Sequence, residues 1–196
     1  MPFLPSTSPR TLKHTRAISI AAYARDDGLW DLDAHITDHK TRDIALASGV
    51  RPCGEALHDL HLRVTIDVQF NVVDAAAVSV AVPYPGFCEA ITPDYKKLIG
   101  LNLLQQFRHG VRLHLGGILG CTHLTELAQI LPTAAVQAFA GEVLATRDSA
   151  SDAADGSDAV RPFQLQRCHS LRLDGPAVVQ YYPRWASSTP DAKSPS

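Results

Sequence analysis

Residues 58–67 read His58-Asp59-Leu60-His61-Leu62-Arg63-Val64-Thr65-Ile66-Asp67. Apolar and polar side chains alternate along this run, which is the pattern of a β-strand with one buried face and one open face. Residues 30–37 alternate in the same way, and residues 15–24 and 72–82 are also β-compatible. A turn at Asp26-Asp27-Gly28 joins the first two segments as a hairpin. The sequence therefore predicts an antiparallel sheet of about four to six strands.

The middle of the chain carries helical patterns. Thr92-Pro93-Asp94 is typical of a helix start, and a second helix is expected near residues 103–115. A third is expected from Thr122, because apolar residues recur at helical spacing up to Ala135, with a kink at Pro132. We therefore expect an α+β fold in which three or four helices between residues 92 and 143 pack on one face of the sheet.

The rest of the chain sets the predicted boundaries. Residues 1–11 and 186–196 are expected to be flexible tails around a single α+β domain at 12–185. The tract 147–160 is rich in Ser, Asp, Ala and Gly, so we expect a flexible insertion there. Beyond it, residues 163–173 and 178–182 are β-compatible and predict a further pair of strands.

Composition excludes several classes of protein. A net charge of −2 and a pI near 6.5 argue against nucleic-acid binding, which requires a basic surface. No apolar run approaches the roughly 20 residues that span a bilayer, and the N-terminus has no secretory pattern. The four cysteines are far apart and contain no CxxC pair. These features predict reduced thiols, a cytoplasmic location, and neither a nucleic-acid nor a membrane partner.

A glycine-rich loop leads into the third helix. We call residues 116–127, GGILGCTHLTEL, the Cys121 loop. Thr122 is a good N-cap residue, and the positive end of a helix favours a cysteine thiolate, so Cys121 is a candidate nucleophile or metal ligand. His123 and Glu126 follow within the first turn. Cys121 and His123 converge only if Cys121 stays outside the helix. The alternative is a small buried cysteine beside glycines that allow close packing.

Cysteines and histidines elsewhere supply further candidate ligands. A Cys/His metal site draws three or four ligands from separate segments, and the candidates are Cys88, Cys121, His123 and His169, with Cys168 adjacent. Their spacing matches no known zinc pattern. A divalent metal is the only cofactor that these residues suggest, and the alternative is structural cysteines with hydrogen-bonded histidines.

A second candidate site is the polar face of the predicted sheet. His58 opens the strand at 58–67, and His61, Arg63, Thr65 and Asp67 follow on its polar side. Histidine near a carboxylate is suited to proton transfer at neutral pH, and Arg63 is suited to binding a carboxylate in a bidentate manner. The alternative is a solvated face with cross-strand ion pairs.

Several of these segments together resemble one protein family. The segments are Asp27 to Asp31, Leu57 to Asp67, Pro83 to Pro85, Gly120 to Leu127, Cys168 to Leu171 and Tyr181 to Trp185. In combination they resemble the bacterial DUF2889 family, a domain of unknown function, over about residues 10–185. The resemblance implies one shared fold and cytoplasmic residence. Its members keep company with catabolic genes for aromatic or acyl compounds, which implies a small-molecule role without supplying a reaction.

Two functions remain open on this basis. In the first, the protein is an enzyme with a lyase- or hydrolase-like step on an organic acid or an acyl or aromatic catabolite. Cys121 or His123 would then act as nucleophile or acid/base, with Glu126 nearby and Arg63 as anion clamp; His58 belongs to the competing sheet-face site. In the second, it is a non-catalytic metal- or ligand-binding or assembly protein that uses the Cys121 loop. We expect a small-molecule ligand in either case, and homo-oligomer formation is left open.

Overall fold

Four strands of the computed structural model form one antiparallel sheet in the order β1-β2-β5-β6. The strands are β1 (His14–Ala24), β2 (Trp30–Lys40), β3 (Ile44–Leu46), β4 (Gly49–Arg51), β5 (Ala56–Ile66) and β6 (Val72–Ala81). The short β3 and β4 pair only with each other, inside the long connection between β2 and β5. With the helices below, these strands confirm the predicted α+β class.

As predicted from the alternation at residues 58–67, the side chains of β5 lie alternately on a buried and an exposed face. Leu60, Leu62, Val64 and Ile66 are buried, whereas His61 and Arg63 are exposed. On the neighbouring strand, Leu32, Ala34 and Ile36 are buried as well. The register pairs these two strands directly across the sheet, so one face of the sheet is continuous and apolar.

Three helical segments follow the sheet. They are a 3₁₀ segment at Cys88–Leu98, α1 (Phe107–Leu115) and α2 (Thr122–Phe139). Their buried side chains supply the rest of the core of this region: Tyr95, Leu98, Phe107, Val111, Leu115, Leu124, Leu127 and Leu131.

Two details of the predicted helices were wrong. Thr92 does not start a helix, because it lies inside the 3₁₀ segment and donates its hydroxyl to the Glu89 carbonyl. The second helix, expected near residues 103–115, begins only at Phe107, and Leu104 before it is 54% exposed. Helix α2 continues through Pro132, and the kink expected there stays a prediction. The neighbouring Leu131 is fully buried, and this packing outweighs the one hydrogen bond that proline removes.

The structure describes residues 6–147 and 160–187, and it divides into two compact units, Met1–Ala135 and Val136–Ser196. The sheet, the 3₁₀ segment and α1 belong to the first unit. Residues 148–159 of the predicted flexible insertion lie outside the described residues, as do residues 1–5 and 188–196 of the two predicted tails. The single domain at 12–185 stays a prediction.

The second unit has no strands among its described residues, so the strand pair predicted at 163–173 and 178–182 was wrong. Short 3₁₀ turns lie at His169–Leu171 and Pro183–Trp185, with α3 (Pro176–Tyr181) between them. Gln166 has a φ of 63°, which breaks any extended run. Pro176 stands at the start of α3, where its fixed φ favours a helix. No helix among the described residues has the length and apolarity needed to cross a bilayer.

Candidate functional site

The apolar face of the sheet ends at a carboxylate and an imidazole. The inward positions of β2 run through Leu32, Ala34 and Ile36 to Asp38, and the inward positions of β5 begin with His58. The register places Asp38 directly opposite His58. Asp38 is only 1% exposed, and its Oδ2 lies 3.0 Å from Nδ1 of His58. Because an ionised carboxylate only accepts hydrogen bonds, His58 donates its Nδ1 proton and keeps Nε2 as the basic nitrogen.

Strand β1 supplies further donors to Asp38. Arg16 donates from Nε to Oδ1 and from Nη2 to Oδ2, both at 2.9 Å, and Nε2 of His14 lies 3.0 Å from Oδ1. Burial alone would raise the pKa of Asp38, but the Arg16 fork and His58 outweigh it and lower that pKa to about 2. Asp38 is therefore a carboxylate at every physiological pH. The remaining Arg16 nitrogen, Nη1, donates to Glu126 on α2 at 2.7 Å.

The first turn of α2 places a second imidazole over the first. The ring centroids of His58 and His123 are 3.8 Å apart, with the planes tilted by 34°. Nε2 of His123 lies 3.8 Å from Oδ2 of Asp38. Burial, and repulsion from the protonated form of His123, lower the pKa of His58. Burial and the positive charge of Arg16 lower the pKa of His123. Since the ordinary histidine pKa is about 6.5, both rings are neutral at pH 7.

These shifts give the stability of the protein a defined pH dependence. The folded pKa of both histidines lies below the unfolded value, so acid protonates the unfolded state first. We expect the free energy of unfolding to fall as the pH drops below about 6.5. A second fall is expected between about pH 4 and pH 2, where Asp38 is protonated. Urea unfolding measured at intervals from pH 8 to pH 3 checks the upper window. His58→Gln should reduce the fall in the free energy of unfolding in this window. An unchanged pH dependence in this variant would contradict the assignment of the fall to His58.

Cys121 stands immediately before α2. Its carbonyl accepts the Thr125 N–H at 2.9 Å, which is the first hydrogen bond of the helix, so Cys121 rather than the predicted Thr122 occupies the N-cap position. Cys121 therefore remains outside the helix, as convergence with His123 requires. Its Sγ lies 4.0 Å from Nδ1 of His123. A thiol, two imidazoles and a carboxylate thus form one connected group, which we call the Asp38–Cys121 cluster (Asp38, His58, Cys121 and His123).

A buried tyrosine holds the Cys121 loop in place. The Tyr95 hydroxyl accepts the Cys121 N–H at 3.0 Å and lies 2.9 Å from the Cys121 carbonyl and 2.8 Å from Oγ1 of Thr125. Thr125 in turn donates to the Leu115 carbonyl at 3.0 Å. Burial raises the pKa of Tyr95 to about 12, so the hydroxyl keeps its proton. A Cβ at Gly120 would lie 2.3 Å from the Leu115 carbonyl oxygen, so this close approach requires glycine.

Removing the Tyr95 hydroxyl should therefore destabilise the protein. We expect Tyr95→Phe to lower the free energy of unfolding by about 1–3 kcal/mol, because the Cys121 N–H loses its acceptor. Urea unfolding is the measurement. Tyr23→Phe is the matched control, since Tyr23 is exposed on the edge strand β1, and it should change stability by less than about 0.5 kcal/mol. Equal effects from the two substitutions would show that Tyr95 holds nothing in place.

The cluster opens into a cleft of about 380 Å³. His58, Cys121 and His123 line it together with Cys88, and most of its other walls are apolar side chains: Leu60, Val82, Pro83, Phe87, Ile91 and Ile118. Phe87 and Ile118 are 83% and 99% exposed, so large apolar groups are held in solvent at this cleft. The volume and lining are those of a site for a small organic molecule.

Comparison with known proteins gives one match. A family model described as a protein of unknown function, DUF2889, matches residues 14–137, well over half of the chain. The chain belongs to the DUF2889 family. No curated protein and no solved structure matches it significantly. Every member of the Asp38–Cys121 cluster lies within the DUF2889 match, whereas the motifs at Cys168 to Leu171 and Tyr181 to Trp185 lie beyond it.

The DUF2889 fold unites part of the predicted site set. Cys88, Cys121, His123 and His58 line one cleft, and Glu126 is joined to Asp38 through Arg16. His58 was expected beside the polar sheet face. It lies two residues before the buried Leu60 on the same strand, however, so its side chain points inward as well.

The remaining predicted residues lie elsewhere. Arg63 lies on the opposite face of the sheet, where it donates two hydrogen bonds of 2.6 Å to Asp33. His169 belongs to the second unit and lies 3.1 Å from Nη1 of Arg172. The four-residue metal set of Cys88, Cys121, His123 and His169 stays a prediction.

The residue that sequence reasoning missed is Asp38. The predicted strand ended at Thr37, but extending its alternation by one residue assigns Asp38 to the apolar face. An aspartate at an inward position must have strong partners, because an unpaired buried charge is prohibitively costly. That signal was present in the DUF2889 sequence. The identity of the partners was not, since Arg16, His58 and His123 come from three separate elements.

Proposed function

We propose that this DUF2889 protein is a cytoplasmic enzyme that acts on a small acyl or aromatic compound by a lyase- or hydrolase-like step, with His58 as general base. The observation that carries the proposal is the hydrogen bond from His58 to the buried Asp38 beside an apolar cleft. A buried carboxylate behind an imidazole fixes its tautomer and stabilises the imidazolium that forms when it takes a proton. The four unpaired thiols support a reducing compartment.

Each member of the cluster has a distinct role in this proposal. In a lyase-like step, Nε2 of His58 removes a proton next to the substrate carbonyl, the C–H electron pair forms a double bond to the neighbouring carbon, and the leaving group on that carbon departs with its bonding pair; Asp38 stabilises the imidazolium. In a hydrolase-like step, Cys121 gives its proton to Nδ1 of His123, and its sulfur attacks the carbonyl to form a thioester while the leaving group departs with that proton. Water activated by His58 then cleaves the thioester and restores the thiol. The gap of 4.0 Å between Sγ and Nδ1 is within the looseness of a site without substrate.

The lining of the cleft sets the substrate class. Its side chains include no lysine or arginine, so the part of the substrate beside the cluster is apolar and uncharged. Arg63 cannot clamp an anion there, because it lies on the other face of the sheet with Asp33. An acyl chain or an aromatic ring fits these walls, and any carboxylate on the compound would point to solvent.

Binding measurements test the cleft directly. A panel of short acyl and aromatic compounds should bind the wild-type protein, as read by ligand-observed NMR. Ile118→Asp should weaken binding by about tenfold, because it replaces apolar surface worth roughly 1–2 kcal/mol with a charge. Leu113→Asp is the matched control, since Leu113 is 61% exposed but does not line the cleft. Absence of any binding, or equal loss in both variants, would contradict the proposal.

A metal-binding role is the second candidate. Ligand atoms of Asp38, His58 and His123 all lie within 4.8 Å of one another, which is the arrangement of a two-histidine, one-carboxylate site. Against it, both Asp38 oxygens accept hydrogen bonds from Arg16, whose positive charge would repel a nearby cation. Metal analysis of tag-free protein separates the two functions. One equivalent of metal that is lost in both His58→Ala and His123→Ala would favour the metal, and turnover by metal-free protein would favour acid–base chemistry.

A further inference from the structure

The outer face of the sheet carries a second cluster of histidines. His35 on β2 and His61 on β5 are directly paired across the two strands. Their rings are stacked, with centroids 4.0 Å apart and planes within 6° of parallel. Nε2 of His35 lies 2.8 Å from Oδ1 of Asp59, and Nε2 of His61 lies 3.1 Å from the same oxygen. Two imidazole nitrogens and one carboxylate oxygen therefore lie together, within 4.8 Å of one another.

The surroundings distinguish Asp59 from the other carboxylates nearby. Asp33 is paired with Arg63, and Asp31 with Arg25 and the Thr65 hydroxyl. Among the described residues, the ion pairs of Asp59 are with histidines alone. A single divalent ion in place of the two Nε2 protons would be bound by two neutral imidazoles and would neutralise the carboxylate.

The spacing of the three atoms suits such an ion. At a tetrahedral centre with bonds of about 2.0–2.2 Å, neighbouring ligand atoms are about 3.3 Å apart. The N–O distances of 2.8 and 3.1 Å need to widen by a few tenths of an ångström, and the two parallel rings must rotate out of their stack so that both Nε2 lone pairs reach one ion. Cross-strand pairing of β2 with β5 holds the three residues in register. Neutral imidazole with carboxylate is a donor set for zinc and its neighbours rather than for magnesium or calcium, which prefer oxygen ligands alone.

We propose that His35, Asp59 and His61 form a surface site for a divalent transition metal of the zinc class. Three protein ligands leave the solvent side of the ion open, so a fourth position is available to water or to a small ligand. A groove lies beside this open position and forms one wall of it. The groove is lined by the two histidines and by Asp33, Ala34, Arg63, Ala76 and Val78. The site lies on the opposite face of the sheet from the Asp38–Cys121 cluster and does not depend on the proposed enzymatic function.

Isothermal titration of tag-free, chelator-treated protein with Zn²⁺ tests the proposal. We expect saturable binding in which one equivalent is lost, or weakened by more than about tenfold, in His35→Ala and in His61→Ala. Asp59→Asn, which keeps the shape and removes the charge, should weaken the same equivalent. His109→Ala is the matched control, because His109 is an exposed helical imidazole outside both histidine clusters, and it should bind as wild type does.

The same titration separates this site from the inner cluster. His58→Ala and His123→Ala should retain the equivalent assigned to the outer face, whatever else they lose. Circular dichroism should show all variants folded, which is expected because His35 and His61 are partly exposed. If an outer-face variant does not fold, the absorption spectrum of Co²⁺ added to wild-type protein and to Asp59→Asn decides in its place. The proposal is overturned if wild type binds no Zn²⁺ saturably, or if binding is unchanged in both His35→Ala and His61→Ala.

Discussion

Replacing Asp38 with asparagine is expected to lower the free energy of unfolding by about 2–4 kcal/mol, since it breaks a buried ion pair. The carboxylate is 1% exposed and accepts hydrogen bonds from Arg16 and His58, and Nε2 of His14 lies 3.0 Å from its Oδ1. Asparagine has the same shape, but its NH2 group replaces one carboxylate oxygen and would face the N–H groups that this oxygen accepts. The substitution also leaves the positive charge of Arg16 without its partner. Chemical denaturation at pH 7 measures the loss.

Asp33→Asn is the matched control for this experiment. Asp33 also accepts two hydrogen bonds from an arginine, Arg63, but both partners are partly exposed on the outer face. An exposed ion pair contributes less than about 1 kcal/mol, so this substitution should have little effect. If the two substitutions had the same cost, burial of Asp38 would not be what makes it important.

Replacing His58 with glutamine is expected to reduce turnover of a compound that the cleft binds by about 10²- to 10⁴-fold, which is the usual contribution of a positioned acid–base group. Binding should change little, because glutamine has a similar size and is uncharged, like the neutral imidazole. The effect should therefore fall on kcat rather than KM. Single-turnover assays on the bound compound measure it.

His61→Gln provides the control for turnover. His61 lies on the same strand as His58 and also contacts an aspartate, but on the other face of the sheet. Its replacement should leave turnover unchanged. If His58→Gln retained full turnover while Cys121→Ser abolished it, His58 would not be the base and the step would depend on the thiol alone.

The sheet was predictable because its signal is local. Period-two alternation at residues 58–67 is a property of consecutive residues, and it correctly assigned Leu60, Leu62, Val64 and Ile66 to the buried face. The segment at 163–173 has similar composition but forms turns, since Gln166 adopts a positive φ that composition does not reveal. Local pattern thus predicts which side chains are buried only where the backbone remains extended.

The candidate site was predictable only in part. The proximity of Cys121 to His123 follows from a loop that precedes a helix, so two residues of one segment could be anticipated together. Asp38, Arg16 and His58 meet because strand register pairs them across β1, β2 and β5. Register depends on turn geometry and on the global packing of the sheet, so one sequence read in order does not specify it.

The central claim is that His58 is a neutral base oriented through its Nδ1 proton by a buried carboxylate. Nitrogen-15 NMR of the histidine rings measures this directly, because it reports the tautomer and the titration of each imidazole. At pH 7 we predict that His58 is neutral with its proton on Nδ1, and that its pKa lies below 6.5. Asp38→Asn should change the tautomer or the pKa of His58. A His58 ring that is protonated at pH 7, or that carries its proton on Nε2, would contradict the account.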